Sequence, residues 1–366
     1  MPMNRSLRYV LLALLWSAVA GYLCFAGAVA VRGRAKRTVS RVEIEVVDST
    51  SRGCLVSTMR AREWIGRSGI PTIGTAVDAV DLRGIERLIA RNGFVKEAIA
   101  SVDYSGTLRV SISQREPLLR LLTDGTNSYV TADGYVFAAP KASSLYVPVV
   151  TGDYRLPFPK DYVGSVHAYM QAELAKSEAR IAALEKEKYP FFRQEIEIER
   201  RMKEVRRRRI RQGFFERATD FERRVAELRE EKTVLRRKFR YEAAQVQERI
   251  DRLGRRQEEE RERQKKLVEN YEDFAKLLTF VESVRSDAFW RSEIVQIIAR
   301  TTPGGALEVD LVPRSGRHVV RFGRLEQADR KFGKLMRFYE GGLSRIGWDR
   351  YRTIDIRYNE QVVCRK

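Results

Sequence analysis

KLMRFYEGGLSRIGWDRYRTIDIRYNEQVVCRK, residues 334–366, decides the fold class of this chain. Leu335, Phe338, Tyr339, Leu343 and Ile346 recur at helical spacing, and Gly347-Trp348 closes the helix. Tyr351, Thr353, Asp355 and Arg357 then alternate with Ile354, Ile356 and Tyr358, the period of a half-buried strand. Gln361-Val362-Val363-Cys364 reads as a second short strand. A sheet that finishes this way leaves an edge whose backbone donors and acceptors are either covered or offered to a partner.

The same alternation is found upstream. Glu293–Ile298, Leu307–Val312 and His318–Phe322 read as strands, separated by turns at Pro303-Gly304-Gly305 and Ser315-Gly316. Residues 118–152 give short strands around Asp133-Gly134 and finish in YVPVVTG, Tyr146–Gly152. Residues 41–117 predict strand, helix, helix, strand, strand. Val42, Ile44 and Val46 alternate, and Ser57 is placed to cap a helix through Met59, Trp64 and Ile65. Leu82, Ile85, Leu88 and Ile89 mark a second helix, and a hairpin turns at Ser105-Gly106.

Between these segments, from about Val166 to Asn270, glycine is scarce and Glu, Lys, Arg, Ala and Leu dominate, the composition of long helices. Phe221, Val225, Leu228, Leu235, Phe239, Val246 and Leu253 hold an a/d register, interrupted by Lys232, Glu242 and Arg249. Leu174, Ile181 and Leu184 predict an earlier helix, kinked or broken at Pro190. Gln212-Gly213 lies near the middle, so an antiparallel hairpin is expected. Arg201, Lys203, Arg206, Arg207, Arg208, Arg209 and Arg211 form the sharpest basic patch, with Phe214 and Phe215 just beyond it.

The chain is basic overall, 69 Lys and Arg against 49 Asp and Glu in 366 residues, which favours anionic partners. Tyr9–Val31 contains no charged residue and is long enough for a membrane span. Ala28-Val29-Ala30 also fits a signal cleavage site. Arg5 and Arg8 precede this run while Arg32, Arg34, Lys36, Arg37 and Arg41 follow it, so flanking charge alone would keep the bulk of the chain cytoplasmic.

Three cysteines, Cys24, Cys54 and Cys364, are too few for a disulfide framework. No phosphate-binding loop, nucleophile elbow or HExxH motif is present. Cys364 has no neighbouring histidine, and His167 and His318 lack metal-ligand spacing. His318 is expected to be a structural or surface histidine. No catalytic residue, metal or cofactor is predicted.

The GW-Y-IDIRY-QVVC ending resembles that of the FtsQ/DivIB cell-division proteins, in particular the Bacteroidetes type. GIERLIARNGFVKEA (residues 84–98) and SGTLRVSISQREP (105–117) are similar to that family's POTRA domain, and VPVVTG, FWRSEIVQI (289–297) and LVPRSGRHVVRFG (311–323) to its β domain. The resemblance implies an α+β chain with a cytoplasmic tail (1–8), a transmembrane helix (9–31) and a POTRA domain (41–117). It further implies a β domain in two parts, 118–165 and 271–366, which the helical hairpin of 166–270 interrupts; the family offers no counterpart to that insert. The bulk would be periplasmic, at the septum, against the flanking-charge bias. The implied function is that of a non-catalytic scaffold binding FtsB/FtsL-like (DivIC/FtsL) partners and, through them, influencing FtsW/FtsI-like synthases. The implied mode is strand addition at the terminal edge, with Ile354, Ile356, Tyr358, Gln361, Val362 and Val363 as contact residues. Two other classes fit parts of the sequence: a POTRA-bearing assembly or translocation factor, and a membrane-tethered coiled-coil protein binding anionic polymer. Nucleic acid is not expected for a periplasmic domain; anionic lipid or cell-wall polymer is the expected contact of the basic insert.

Overall fold

The computed structural model describes residues 14–27, 37–47, 55–139 and 145–366. Residues 14–27 are helical (α1); residues 9–13 and 28–31 of the uncharged run, and the Ala28–Ala30 motif, lie outside the described residues. Among the described residues no helix is long and apolar enough to cross a membrane. The chain divides into two compact units. One comprises residues up to Tyr154, Lys160–Gly164 and Leu278–Lys366; the other comprises Arg155–Pro159 and Ser165–Leu277.

The first unit begins with β1 (Arg41–Val46), α2 (Thr58–Arg67), α3 (Leu82–Ala90), β2 (Val95–Val102) and β3 (Thr107–Gln114), the expected order. β1 runs parallel to the central β3, and β2 antiparallel to it. Alternation on the strands and the 3–4 spacing on the helices meet in one core, where Ala61, Ile65, Ile85 and Ile89 pack on Leu108, Val110 and Ile112. Ser57 Oγ accepts from Arg60 N, as its position in the sequence implies, and Asp81 Oδ1 caps α3 through Gly84 N at 2.8 Å. The β2–β3 turn is held by the Asp103 carboxylate, which accepts from the Ser105 hydroxyl and from the amides of Ser105 and Thr107. The Ser105 hydroxyl, then the Thr107 amide, keep its pKa below the usual carboxylate value.

A mixed sheet of ten strands follows, in the order β13-β12-β11-β10-β9-β7-β4-β5-β6-β8. Its N-terminal half is β4 (Pro117–Thr123), β5 (Thr126–Thr131), β6 (Tyr135–Ala138), β7 (Val149–Thr151) and β8 (Gly164–Ser165). The C-terminal half is β9 (Ile294–Thr301), β10 (Leu307–Pro313), β11 (Val319–Gly323), β12 (Thr353–Asp355) and β13 (Val363–Arg365). The halves join where β7 lies parallel to β9, with Val150 opposite Ile297. The remaining helices are α4 (Val166–Arg207), α5 (Ala218–Ser286), α6 (Ala288–Glu293), α7 (Ala328–Phe338) and α8 (Ser344–Ile346). The expected insert boundary at residue 270 falls inside α5. The last turns of that helix, from Leu278, belong to the sheet's unit, where Phe280, Val281 and Val284 are buried. Apolar residues at i, i+1 and i+4 give this end of α5 a face that must be covered.

The QREP motif, Gln114–Pro117, lies where the two sheets meet. Gln114 Oε1 accepts from the amides of Leu55 and Val56, and Arg115 lies over the Tyr135 ring at 3.4 Å. Glu116 pairs with Arg285, whose guanidinium also donates to the carbonyls of Pro117 and Leu118.

In the second unit α4 and α5 form the expected antiparallel hairpin, turning through residues 208–217. Glu260 accepts from Ser177 and Arg180, Lys188 donates to Gln257, and Arg208 pairs with Glu231. Val246 and Leu253 of the a/d register are buried, and Ile198, Val246 and Ile250 make a cluster between the helices. Of the kink or break expected at Pro190, the break does not occur: α4 runs through it. Pro190 sits on an exposed face, so the carbonyl that loses its amide partner there can turn to water.

Candidate partner-binding edge

The terminal edge rests on an aromatic layer. Phe322 of β11 lies 5.0 Å from Phe280 and 5.1 Å from Phe332, and Trp290 lies 4.8 Å from Phe332. α7 contributes Phe332 and Leu335, then continues into one π-helical turn, Tyr339–Leu343. A fifth residue in that turn keeps Tyr339 and Leu343 buried beneath the sheet while Gly341-Gly342 pass outside. A Cβ on Gly342 would stand 3.0 Å from the Phe338 ring.

His318 is buried and shares a 3.0 Å hydrogen bond between its Nε2 and the Tyr339 hydroxyl. Burial pulls its pKa below the ordinary value, with the Glu293 charge opposing. Burial likewise pushes the Tyr339 phenol upward. Both are neutral packing groups at physiological pH, as expected for His318.

β12 lies parallel to β11, Ile354 opposite Val320, and antiparallel to β13, with Ile354 opposite Cys364. β13 is the terminal strand of the sheet. The strands are shorter than the alternation predicts. β12 stops at Asp355 instead of reaching Tyr358, and β13 occupies Val363–Arg365 instead of Gln361–Cys364. The cause is local. Asp355 Oδ1 accepts from the Arg357 amide at 3.1 Å, while its carboxylate takes the Arg357 guanidinium at 3.0 and 2.7 Å. Lys334 of α7 then gathers the carbonyls of Ile356 (2.8 Å), Tyr358 and Gln361. Carbonyls drawn to one ammonium cannot extend a ladder.

The six candidate contact residues separate accordingly. Ile354 and Ile356 are fully buried in the sheet's own core. Tyr358 is 49% exposed, Gln361 is exposed, and Val362 and Val363 are half-buried beside the edge. The sequence pattern does not reveal Lys334, whose role is visible only in three dimensions. The Asp355–Arg357 clamp also goes unread there, although opposite charges two apart on a strand share a face and were legible. Burial lowers the tendency of Asp355 to ionise, but the Arg357 hydrogen bonds and charge outweigh it and hold the carboxyl below its usual range. Gly323, at φ 75°, lets the Arg357 stem pass; a Cβ there would meet Arg357 Cγ at 2.7 Å. Burial raises the Cys364 thiol pKa, leaving little thiolate. Among the described residues no group of three His, Cys, Asp or Glu is arranged to hold a metal ion.

The basic patch lies in the other unit, at the hairpin turn, with Arg201, Lys203, Arg206, Arg207, Arg208, Arg209 and Arg211 all exposed.

Fold and edge together define an α+β protein whose large mixed sheet has β13 as a terminal strand. Residues 259–365 match the family model described as FtsQ/DivIB, C-terminal related. The match spans the end of α5 and all of β9–β13, so this part of the chain is similar to the C-terminal region of FtsQ/DivIB proteins. No curated protein matches the chain.

Proposed function

We propose that this chain is a non-catalytic, FtsQ-type scaffold of the bacterial division machinery, located at the septum. Residues 9–31 serve as a single-pass membrane anchor with the bulk of the chain periplasmic, and the module at residues 41–117 is a POTRA domain. Its partners are FtsB/FtsL-like (DivIC/FtsL) proteins, and through them FtsW/FtsI-like synthases of septal peptidoglycan.

The observation that carries this reading is the terminal position of β13 in the sheet, inside a segment matching the division family. An incoming strand would pair with the outer edge of β13 and set its side chains against Tyr358, Gln361, Val362 and Val363. Ile354 and Ile356 act indirectly, holding β12 in the core. Since β12 ends before Tyr358, a proline at 358 interrupts no ladder. The informative substitutions are Val363→Pro and Cys364→Pro, because adjacent strand residues aim their amides to opposite sides. One of the two should abolish co-purification of the coiled-coil partners by the tagged full chain, with circular dichroism unchanged. Retained binding in both folded variants would remove the edge from the interface.

A further inference from the structure

The hairpin turn carries a second surface. Phe214 and Phe215 are 96% and 95% exposed, more than any other large apolar residue among those described. Their rings meet edge to face, 5.1 Å apart, and among the described residues touch no other aromatic ring. The loop that presents them is built: Glu216 accepts from the Gly213 amide at 2.9 Å and from Arg224 at 2.7 Å. The Gly213 amide first, then Arg224, hold its carboxyl below the usual range. Six arginines and this one glutamate lie between residues 206 and 217. Arg208 is paired with Glu231, and Glu216 is turned to Arg224. Arg206, Arg207, Arg209, Arg211 and Arg217 make no ion pair among the described residues and stand in solvent.

Two adjacent phenylalanines held out in water, flanked in sequence by exposed arginines without ion pairs, have the chemistry of a bilayer interface. There the rings leave water and the charges meet phosphate. A soluble polyanion satisfies the arginines but leaves the rings wet.

We propose that the hairpin tip, residues 206–217, docks on a membrane surface containing anionic phospholipid, with Phe214 and Phe215 entering the acyl boundary. This surface works independently of whatever β13 binds.

The test uses the full chain with Cys24, Cys54 and Cys364 changed to serine and Gln212→Cys carrying an environment-sensitive fluorophore. The protein is held in a non-ionic amphipol and mixed with phosphatidylcholine vesicles, with or without phosphatidylglycerol, in about 0.1 M salt. The label reports the tip alone, so any insertion of the N-terminal run does not register. A blue shift, and quenching by brominated acyl chains, are expected only with the anionic vesicles. Arg206→Gln, Arg207→Gln and Arg209→Gln combined should weaken the response on the order of a hundredfold, at about fivefold for each charge. Phe214→Ser with Phe215→Ser should abolish acyl-chain quenching. These side chains are exposed, so circular dichroism should match the parent. Equal response to neutral vesicles, absence of acyl-chain quenching, or an equal blue shift with polyglutamate would overturn the proposal; the last would assign the tip to acidic polymer.

Discussion

Lys334 is the residue on which the shape of the terminal edge depends. One ammonium holds three carbonyls of the β12–β13 connection, and burial with the Arg330 charge pulls its pKa below the lysine norm. Lys334→Met keeps the stem but releases those carbonyls. Amide exchange across 356–361 should accelerate about tenfold, at a cost of about 1–3 kcal/mol for the charged hydrogen bonds; unchanged exchange would show the loop to be self-supporting. The Asp355–Arg357 clamp has a pH signature. A carboxyl with a depressed folded pKa contributes stability above its unfolded value, about 3.9, and loses it as pH falls through the folded value. The clamp's own contribution should therefore be constant between about pH 5 and 8 and fall below about pH 4, and Asp355→Asn should remove that acid-side change. A loosening near pH 6 would instead implicate His318.

At the scale of elements, legibility followed periodicity and capping. α2, α3, β3, β10 and both arms of the hairpin appear where alternation, the 3–4 spacing and Ser57 place them, because each buries one face against one neighbour. Ser57→Ala and Asp81→Ala should each lower stability by about 1 kcal/mol, measured by urea unfolding. What the sequence hid was set by contacts across distance. Ile354 and Ile356 alternate as contact candidates would, yet both are fully buried in the core. Tyr358 continues the same alternation, but a lysine 24 residues earlier pulls it from the strand. Pro190 reads as a breaker, and its exposed face in a 42-residue helix lets it pass. The GW-Y-IDIRY-QVVC phrase led to β12 and β13 but misplaced their ends, and it said nothing of the hairpin, whose exposed tip was legible only as a charge run.

For the whole molecule, the division of α5 between two units sets what can be removed. Replacing 170–268 with a short Gly/Ser linker should leave the sheet folded, since Phe280, Val281 and Val284 remain. Extending the deletion through Ser286 strips them from the core, at about 2–5 kcal/mol for each large side chain, and should give an aggregating product. Proteolysis resistance of 278–366 in the variant with the smaller deletion is the measurement that checks this. The pairing of β7 with β9 carries a consequence in time. Between Thr151 and Ile294 the ribosome must make the entire hairpin, a gap of roughly 7–29 s at roughly 5–20 residues per second. Throughout that interval one side of β7 has no neighbour to pair with, an opening for mispairing or for a chaperone. The hairpin limits the harm of the delay. It can fold on local contacts while emerging, and His167 lies against Tyr271 at its base. Its two ends are thus delivered side by side, and the search for β9 becomes that of a shorter loop, lowering the closure entropy by about 1 kcal/mol.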